Sequence, residues 1–521
     1  MATVGVLDAV LWLPLLLPVA LAVACTVTRA PALTRRAPVL ASLVVLACGV
    51  ALSAGALSRA VVVPTALTGG VRATGAAGTI ASSGGLRADA LTAFMLLVVG
   101  AVGLTSTWAG LAPRVARGAP PPTGHVRYGA LICLFLGAMA LAVLADNLGV
   151  TWVAIEATTI ATAFLVGHHG TGRALEAAWK YVLLGSVGVA IAFLGVVLLW
   201  ATTRAAGAPT LSWTALTTHP GPLDPASLRV AVALMVLGLA TKAGLAPMHS
   251  WLPDAHSQAP AAVSGLMSGV LLAVAFSAVL RVQAVSAVVL GPGPVRALLL
   301  TAGLLSLAVA AALLLRQHDY KRMLAYSSIE HMGLMALGAA AGGPLALAAV
   351  LLHVLGHGLA KAALFVVAGR ILAAEGSAEV SHVHALLARR PDLAVPFAAG
   401  LTALLGFPPF SLFFSEVAIL LACWQRGLGW AAAVALVLLL VIFGGLARTS
   451  AGMLLGRPPG PVPPPAKPAL APVPSTTVAL LGRGPQTPVV LALGCCAVAA
   501  FAATPVGGLL ARAAADLAGG R

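Results

Sequence analysis

Residues 238–265 read GLATKAGLAPMHSWLPDAHSQAPAAVSG, an apolar run that ends at Lys242 and is then punctuated by Pro247, Pro253 and Pro260. Proline lacks the amide donor and clashes with the preceding turn, so a helix carrying this stretch must be interrupted. At membrane depth an interruption survives only where protein or water resatisfies the freed backbone groups, and breaks of this kind mark ion sites in transporters. The cluster His249, Asp254 and His256 has a second reading, a plain loop at the membrane surface, and the sequence leaves the two open. A similar device recurs in GFPPFSLFFSE at 406–416, where Pro408 and Pro409 stand about two helical turns before Glu416. Two breaks, each near a buried charge, suggest an internal duplication of about five helices.

The rest of the chain supplies the membrane. Its 521 residues are 60% hydrophobic and 8% charged, with a mean hydropathy of +1.03. A soluble core needs nothing so apolar, and runs of about 20 apolar residues, the length of a spanning helix, recur with no polar domain between them. About fourteen spans are expected, including one at 393–423 that carries the break at Pro408 and Pro409 and one at 488–510. The first has no basic segment before it, so a cleaved signal peptide is not expected. Six scattered cysteines without a CxxC read as small hydrophobes, which excludes a disulfide framework or an iron–sulfur cluster.

A net charge of +16 comes from basic residues spread singly over short loops, a pattern of membrane topology rather than of nucleic-acid binding. Odd-numbered loops hold seventeen Lys and Arg, and even-numbered loops with the C-terminus hold ten. The bias predicts a cell-membrane protein with odd loops in the cytoplasm and both termini outside. The expected organisation is a three-helix N-terminal segment (1–127), a first repeat (128–283), a second repeat (284–450), a Pro-rich linker (451–487) and a last transmembrane helix (488–521).

Three of only five lysines, Lys180, Lys242 and Lys361, fall inside predicted spans, and no arginine does. A fixed charge there costs at least ~2.5 kcal/mol, and lysine can shed its proton where arginine cannot. The choice suits a protonation cycle. For Lys180 the spacing from Glu176 also fits an ordinary helix-end salt bridge with a snorkelling lysine. The acidic residues within spans are equally few: Glu156, Glu330 and Glu416. Each must face a bundle interior or a water-filled cavity, and a structural ion pair is the plainer alternative.

In LLHVLGHGLAKAALF, residues 351–365, His353, His357 and Lys361 recur every fourth position and so share one helical face. A proton relay through intervening water is the preferred reading. The alternatives are core histidines bonded to carbonyls, or a metal pair, which lacks a third ligand at the usual spacing.

At these residues the chain resembles the antiporter-like proton-pumping membrane subunits of respiratory complexes. KAGLAPMHSWLPDAHSQAPAAVSGLM (242–267) and HDYKRMLAYSSIEHMGLMALG (318–338) are similar to signatures of the large membrane subunits of NADH:quinone oxidoreductase. LEAAWKYVLLGSVG (175–188) and YSSIEHMG (326–333) are most similar to hydrogenase-4 component F. The resemblance covers about residues 85–450 and implies an all-α fold of fourteen helices, with two inverted five-helix repeats that each contain a discontinuous helix. It also implies a proton pathway over Glu156, Lys242, His353, His357, Lys361 and Glu416; Lys180 joins the pathway candidates from its place in a predicted span, and His249, Glu330, His331 and Ser268 are secondary candidates. Ser268 departs from the family, many of whose members have a histidine there, so the link between half-channels is expected to run through water.

No dinucleotide-binding motif, cluster ligand set or flavin motif is present, so no cofactor or metal is expected in this chain. The expected function is a non-redox subunit that moves H+ or Na+ while membrane and soluble partner subunits transfer electrons. The rivals are a subunit of a multi-subunit Na+/H+ antiporter without a redox partner, and a membrane anchor for a soluble enzyme that transports nothing.

Overall fold

The computed structural model describes residues 2–57, 81–83, 85–111, 124–456, 485–499, 501 and 505–518. Most of the Pro-rich linker, 457–484, lies outside them. The described chain is a helical bundle with one two-stranded antiparallel hairpin, β1 (Ala81–Ser83) and β2 (Leu86–Ala88). Among the described residues, eleven helices are long and apolar enough to cross a membrane.

The first six membrane helices are α1 (Ala2–Thr28), α2 (Pro31–Leu57), α3 (Ala90–Ala109), α4 (His125–Leu144), α5 (Leu148–Val166) and α6 (Gly172–Ala205). A short α7 (Trp213–Thr218) precedes the seventh, which is split into α8 (Pro225–Lys242) and α9 (Trp251–Gln258). The eighth runs from α10 (Ala261–Leu266) through a π-helical turn (Met267–Leu271) into α11 (Leu272–Leu290). Then come α12 (Gly293–Leu314), α13 (Tyr320–Ala341) and α14 (Gly343–Glu375), followed by a short α15 (Leu386–Arg389). The twelfth is split into α16 (Pro391–Leu404) and α17 (Ser411–Gln425), and α18 (Gly429–Leu455) is the thirteenth. The last expected span is itself two helices, α19 (Thr487–Val498) and α20 (Pro505–Leu517). Pro505 opens the second of these, where its missing amide costs nothing. The span at 393–423 is divided where the prolines of 406–416 predict it, and the span expected at 488–510 is divided as well.

Polar side chains close the helix starts. Asp89, Asn147, Thr171, Asp224 and Asp319 each accept from amides of the first turn of α3, α5, α6, α8 and α13, satisfying donors that have no intrahelical partner. Burial then explains why α13 escapes an apolar criterion: every residue except Arg322 is buried in protein. A helix wrapped by other helices has no need to be greasy all round.

Both interrupted helices end in the same motif. In α8 the amide of Gly244 donates to Thr241 O (3.1 Å) and that of Leu245 to Ala240 O (3.0 Å). In α16 the amide of Gly406 donates to Ala403 O (3.2 Å) and that of Phe407 to Thr402 O (3.1 Å). Each glycine is left-handed, with φ +76° and +66°, and this pair of bonds is the Schellman closure, for which glycine is the favoured residue. Pro247 and Pro409 stand at the same offset beyond their glycines, so Glu416 occupies in the second break the place that Asp254 holds in the first. The freed groups find partners: Ala246 N donates to Ser306 Oγ (2.9 Å) and Trp251 Nε1 to Thr241 O (3.0 Å).

The π-turn of the eighth helix packs against α14 through two glycines. A Cβ built on Gly269 meets Gly358 O at 2.8 Å, and one on Gly358 meets Gly269 O at 2.7 Å. Backbone cannot give way as a flexible side chain can. Gly358→Ala is therefore expected to cost about 1–3 kcal/mol, read as a lower unfolding temperature of the purified chain. Gly444→Ala in α18, where nothing lies within 4 Å of the added carbon, should leave that temperature unchanged or raise it slightly.

The expectation that no arginine enters a span is corrected. Arg281 lies in α11 and Arg370 in α14. Arg281 pairs with Asp89 in two bonds of 2.5 and 2.8 Å, and Arg370 donates to Ala109 O (2.9 Å) and Pro485 O (2.8 Å). The two guanidiniums meet opposite ends of α3, Asp89 at its start and Ala109 at its finish, where carboxylate and carbonyl acceptors replace water.

Candidate functional site

Lys242 is the last residue of α8, just ahead of the left-handed Gly244, and is fully buried. A helix C-terminus carries partial negative charge, which favours a cation there. Its Nζ donates to Thr159 Oγ1 (2.8 Å) and to the Tyr181 hydroxyl, and it lies 4.5 Å from the centre of the Tyr181 ring. Tyr181 is in turn hydrogen-bonded to Thr162 (2.5 Å). Glu156, half-buried on α5, accepts from Thr159 Oγ1 (3.2 Å) and Ser186 Oγ (3.0 Å). Lys242 and Glu156 therefore communicate through Thr159.

Lys361, on α14, is equally buried. Its Nζ donates to Leu324 O (2.6 Å) and Ser327 Oγ (2.5 Å) of α13. Ser328 Oγ donates to the same carbonyl (3.2 Å) and is bonded to Ser268 (2.7 Å) in the π-turn. Ser268 thus belongs to the Lys361 cluster. Glu330 is buried on α13, with Oε2 lacking a partner.

Beyond Lys361 the imidazoles converge from two helices. The rings of His331 and His357 are 5.1 Å apart. His331 Nδ1 is hydrogen-bonded to His353 Nε2 (3.0 Å), and His353 Nδ1 to Ser415 Oγ (2.9 Å) at the start of α17. Next to Ser415, Glu416 is half-buried and folds back over the second break: a Cβ on Gly406 would meet Glu416 Oε2 at 2.5 Å. Only glycine leaves room for the carboxylate there.

Three of the sequence candidates lie elsewhere. Lys180 has the salt-bridge reading: it is half-exposed and bound to Glu176 (2.7 Å) and Asp254 (3.2 Å). Asp254 also binds Arg322 (2.9 Å), so it ties α9 to both α6 and α13. Lys321 reinforces this junction by donating to Ser257 O (2.7 Å) and Ala259 O (3.0 Å). His249 is partly exposed and bonded to Pro247 O (3.1 Å). The loop reading of 249–256 holds for neither Asp254 nor His256, which lie on α9.

His256 is the residue sequence reasoning undervalued. It is fully buried, stacked on Phe365 at 5.2 Å, and neither ring nitrogen has a partner. Phe365 sits one turn beyond Lys361, which places this unpartnered imidazole beside α14, between the two breaks. Tyr181 and Thr159 were also missed. They contact Lys242 across helices, and no local pattern announces that. Among the described residues no direct hydrogen bond joins the Lys242 cluster to the Lys361 cluster.

The family model for NADH:quinone oxidoreductase/Mrp antiporter transmembrane regions matches residues 145–442, a span that includes both breaks and all three clusters. The chain is 34% identical over 381 residues to a hydrogenase-4 component F homolog of Methylacidiphilum infernorum, covering 71% of this chain and 79% of that one. It is 32% identical over 359 residues to NADH-quinone oxidoreductase subunit N 2 of Rhizobium meliloti, covering 68% and 73%. Its fold matches a chain of an archaeal membrane-bound sulfane sulfur reductase complex, with TM-score 0.80 and 24% identity over 98% of both chains. It also matches a chain of the Mrp complex of Dietzia sp. DQ12-45-1b, with TM-score 0.77 and 23% identity over 98% of both. The chain belongs to the NADH:quinone oxidoreductase/Mrp antiporter transmembrane family.

Proposed function

We propose that this chain is the proton-translocating, non-redox membrane subunit of a hydrogenase-4-like or NADH:quinone oxidoreductase-like respiratory complex. The observation that carries it is the pair of fully buried lysines: Lys242 sits at the first helix break, and Lys361 leads through three imidazoles to the second. A protein that only anchors a soluble enzyme has no use for such groups in its interior, because each costs free energy that a leucine would not.

In this mechanism an ionised Glu156 favours the charged form of Lys242. Two hydrogen bonds through Thr159 hold the groups within about 6 Å, where an effective dielectric near 20 gives about 3 kcal/mol of attraction. Weakening the pair releases the proton of Lys242 to Lys361, with the unpartnered His256 as the carrier between them. From there it passes along His357, His331 and His353 to Glu416 and leaves on the outer side. Lys180, Asp254 and Arg322 serve instead to lock the first break to the second repeat. The repeats are those expected at 128–283 and 284–450. The protein sits in the cell membrane with both termini outside, and the driving conformational change comes from electron transfer in partner subunits.

The test is purification through a tag on this chain, identification of what accompanies it, and proton uptake by vesicles holding the complex when electron donor is added. Redox subunits together with uptake support the proposal. Small antiporter subunits without redox partners favour the antiporter, and electron transfer without uptake favours an anchor.

A further inference from the structure

The helical HxxxH of His353 and His357 lacks a third metal ligand along its own helix, and the bundle supplies one from elsewhere. One nitrogen each of His331 and His353 and one carboxylate oxygen of Glu416 all lie within 4.8 Å of one another. Three helices contribute: α13, α14 and α17.

We propose that His331, His353 and Glu416 form a binding site for zinc, occupied in competition with the proton that these residues would otherwise carry. Two imidazoles and one carboxylate are the donor set of a three-ligand zinc site with an open fourth position. Zinc bonds of about 2.0–2.2 Å place tetrahedral ligand atoms roughly 3.3 Å apart. His331 Nδ1 and His353 Nε2, at 3.0 Å, are already at that separation. Glu416 has to close only part of the remaining distance, and it stands just past the break.

Two further observations point the same way. His353 Nδ1 is held by Ser415 Oγ at 2.9 Å, the outer bond that a metal-ligating histidine uses to fix its ring. The buried Nε2 atoms of His331 and His357 have no partner, so imidazole donors remain free beside the pair. Imidazole suits zinc and its first-row neighbours, whereas calcium and magnesium require a shell of oxygens. The site is therefore expected to take zinc and to ignore both hard cations.

Binding does not depend on the transport reading, but its consequence does. A metal across His331 and His353 replaces their shared hydrogen bond and stops proton transfer at that point. The test titrates zinc chloride into the metal-stripped, full-length chain in lipid nanodiscs and measures zinc retained per chain. It is done in a His168→Gln, His169→Gln, His219→Gln, His318→Gln, His382→Gln, His384→Gln background, so that these histidines near the surface do not contribute.

One zinc per chain is expected, with affinity lowered at least tenfold by Glu416→Gln and about 10- to 100-fold by Ser415→Ala. Ser415→Ala removes one hydroxyl and keeps the test readable should the glutamate variant misfold. Loss of all zinc in the surface-histidine background overturns the proposal, as does wild-type affinity in both site variants. Zinc that binds as expected yet leaves proton uptake of the complex unchanged upholds the site and counts against the transport reading.

Discussion

Replacing Lys242 by alanine is expected to reduce proton uptake by the reconstituted complex at least about tenfold, to the level of background leak, with electron transfer continuing at a lower rate. The lysine is fully buried and its acceptors, Thr159 and Tyr181, belong to α5 and α6. Alanine removes both the group that holds the proton and the cation opposite Glu156. Lys242→Arg separates these roles, because arginine keeps the charge but does not release a proton. The arginine variant should assemble as the wild type does and fail to pump. Pumping restored by arginine would show that Lys242 contributes only a fixed charge.

Lys361→Ala is expected to have a comparable effect for a different reason. Its ammonium is held by Leu324 O and Ser327 Oγ, acceptors that keep it in place without neutralising it. Removing it takes away the titratable group that the proposed path places between the Ser268 and Ser328 hydroxyls and the imidazoles of α14. Uptake should again fall about tenfold or more. Ser268→Ala should reduce it far less, because a hydroxyl conducts a proton without storing one. Both are read from initial rates of vesicle acidification, and equal losses in the two variants would mean that packing rather than proton storage is being disturbed.

The breaks were legible in the sequence because proline and glycine act locally. KAGLAP and LLGFPP carry their closures in the chain itself, and the structure realises both with the same pair of hydrogen bonds. The fourteen-helix plan was legible for the same reason, since twenty apolar residues need no distant partner to be recognised. Contacts across helices were not legible. Nothing in TWVAIEATTIATAF indicates that Thr159, one turn beyond Glu156, takes the Lys242 proton donor and leaves the carboxylate in second place. Nothing near His353 names His331 or Ser415. For Lys180 the bond to Glu176 was legible at i,i+4 spacing, whereas Asp254, its second partner, is 74 positions away and was not. His256 was obscured by the polar residues beside it, although only its own side chain is turned into the bundle.

The proposed proton path from Glu156 to Glu416 is tested most directly by the number of protons moved per electron pair in the reconstituted complex, wild type against Glu416→Gln. Glutamine keeps the shape over Gly406 and cannot take up a proton, so the account predicts a lower ratio with electron transfer still running. A ratio equal to that of the wild type would contradict it.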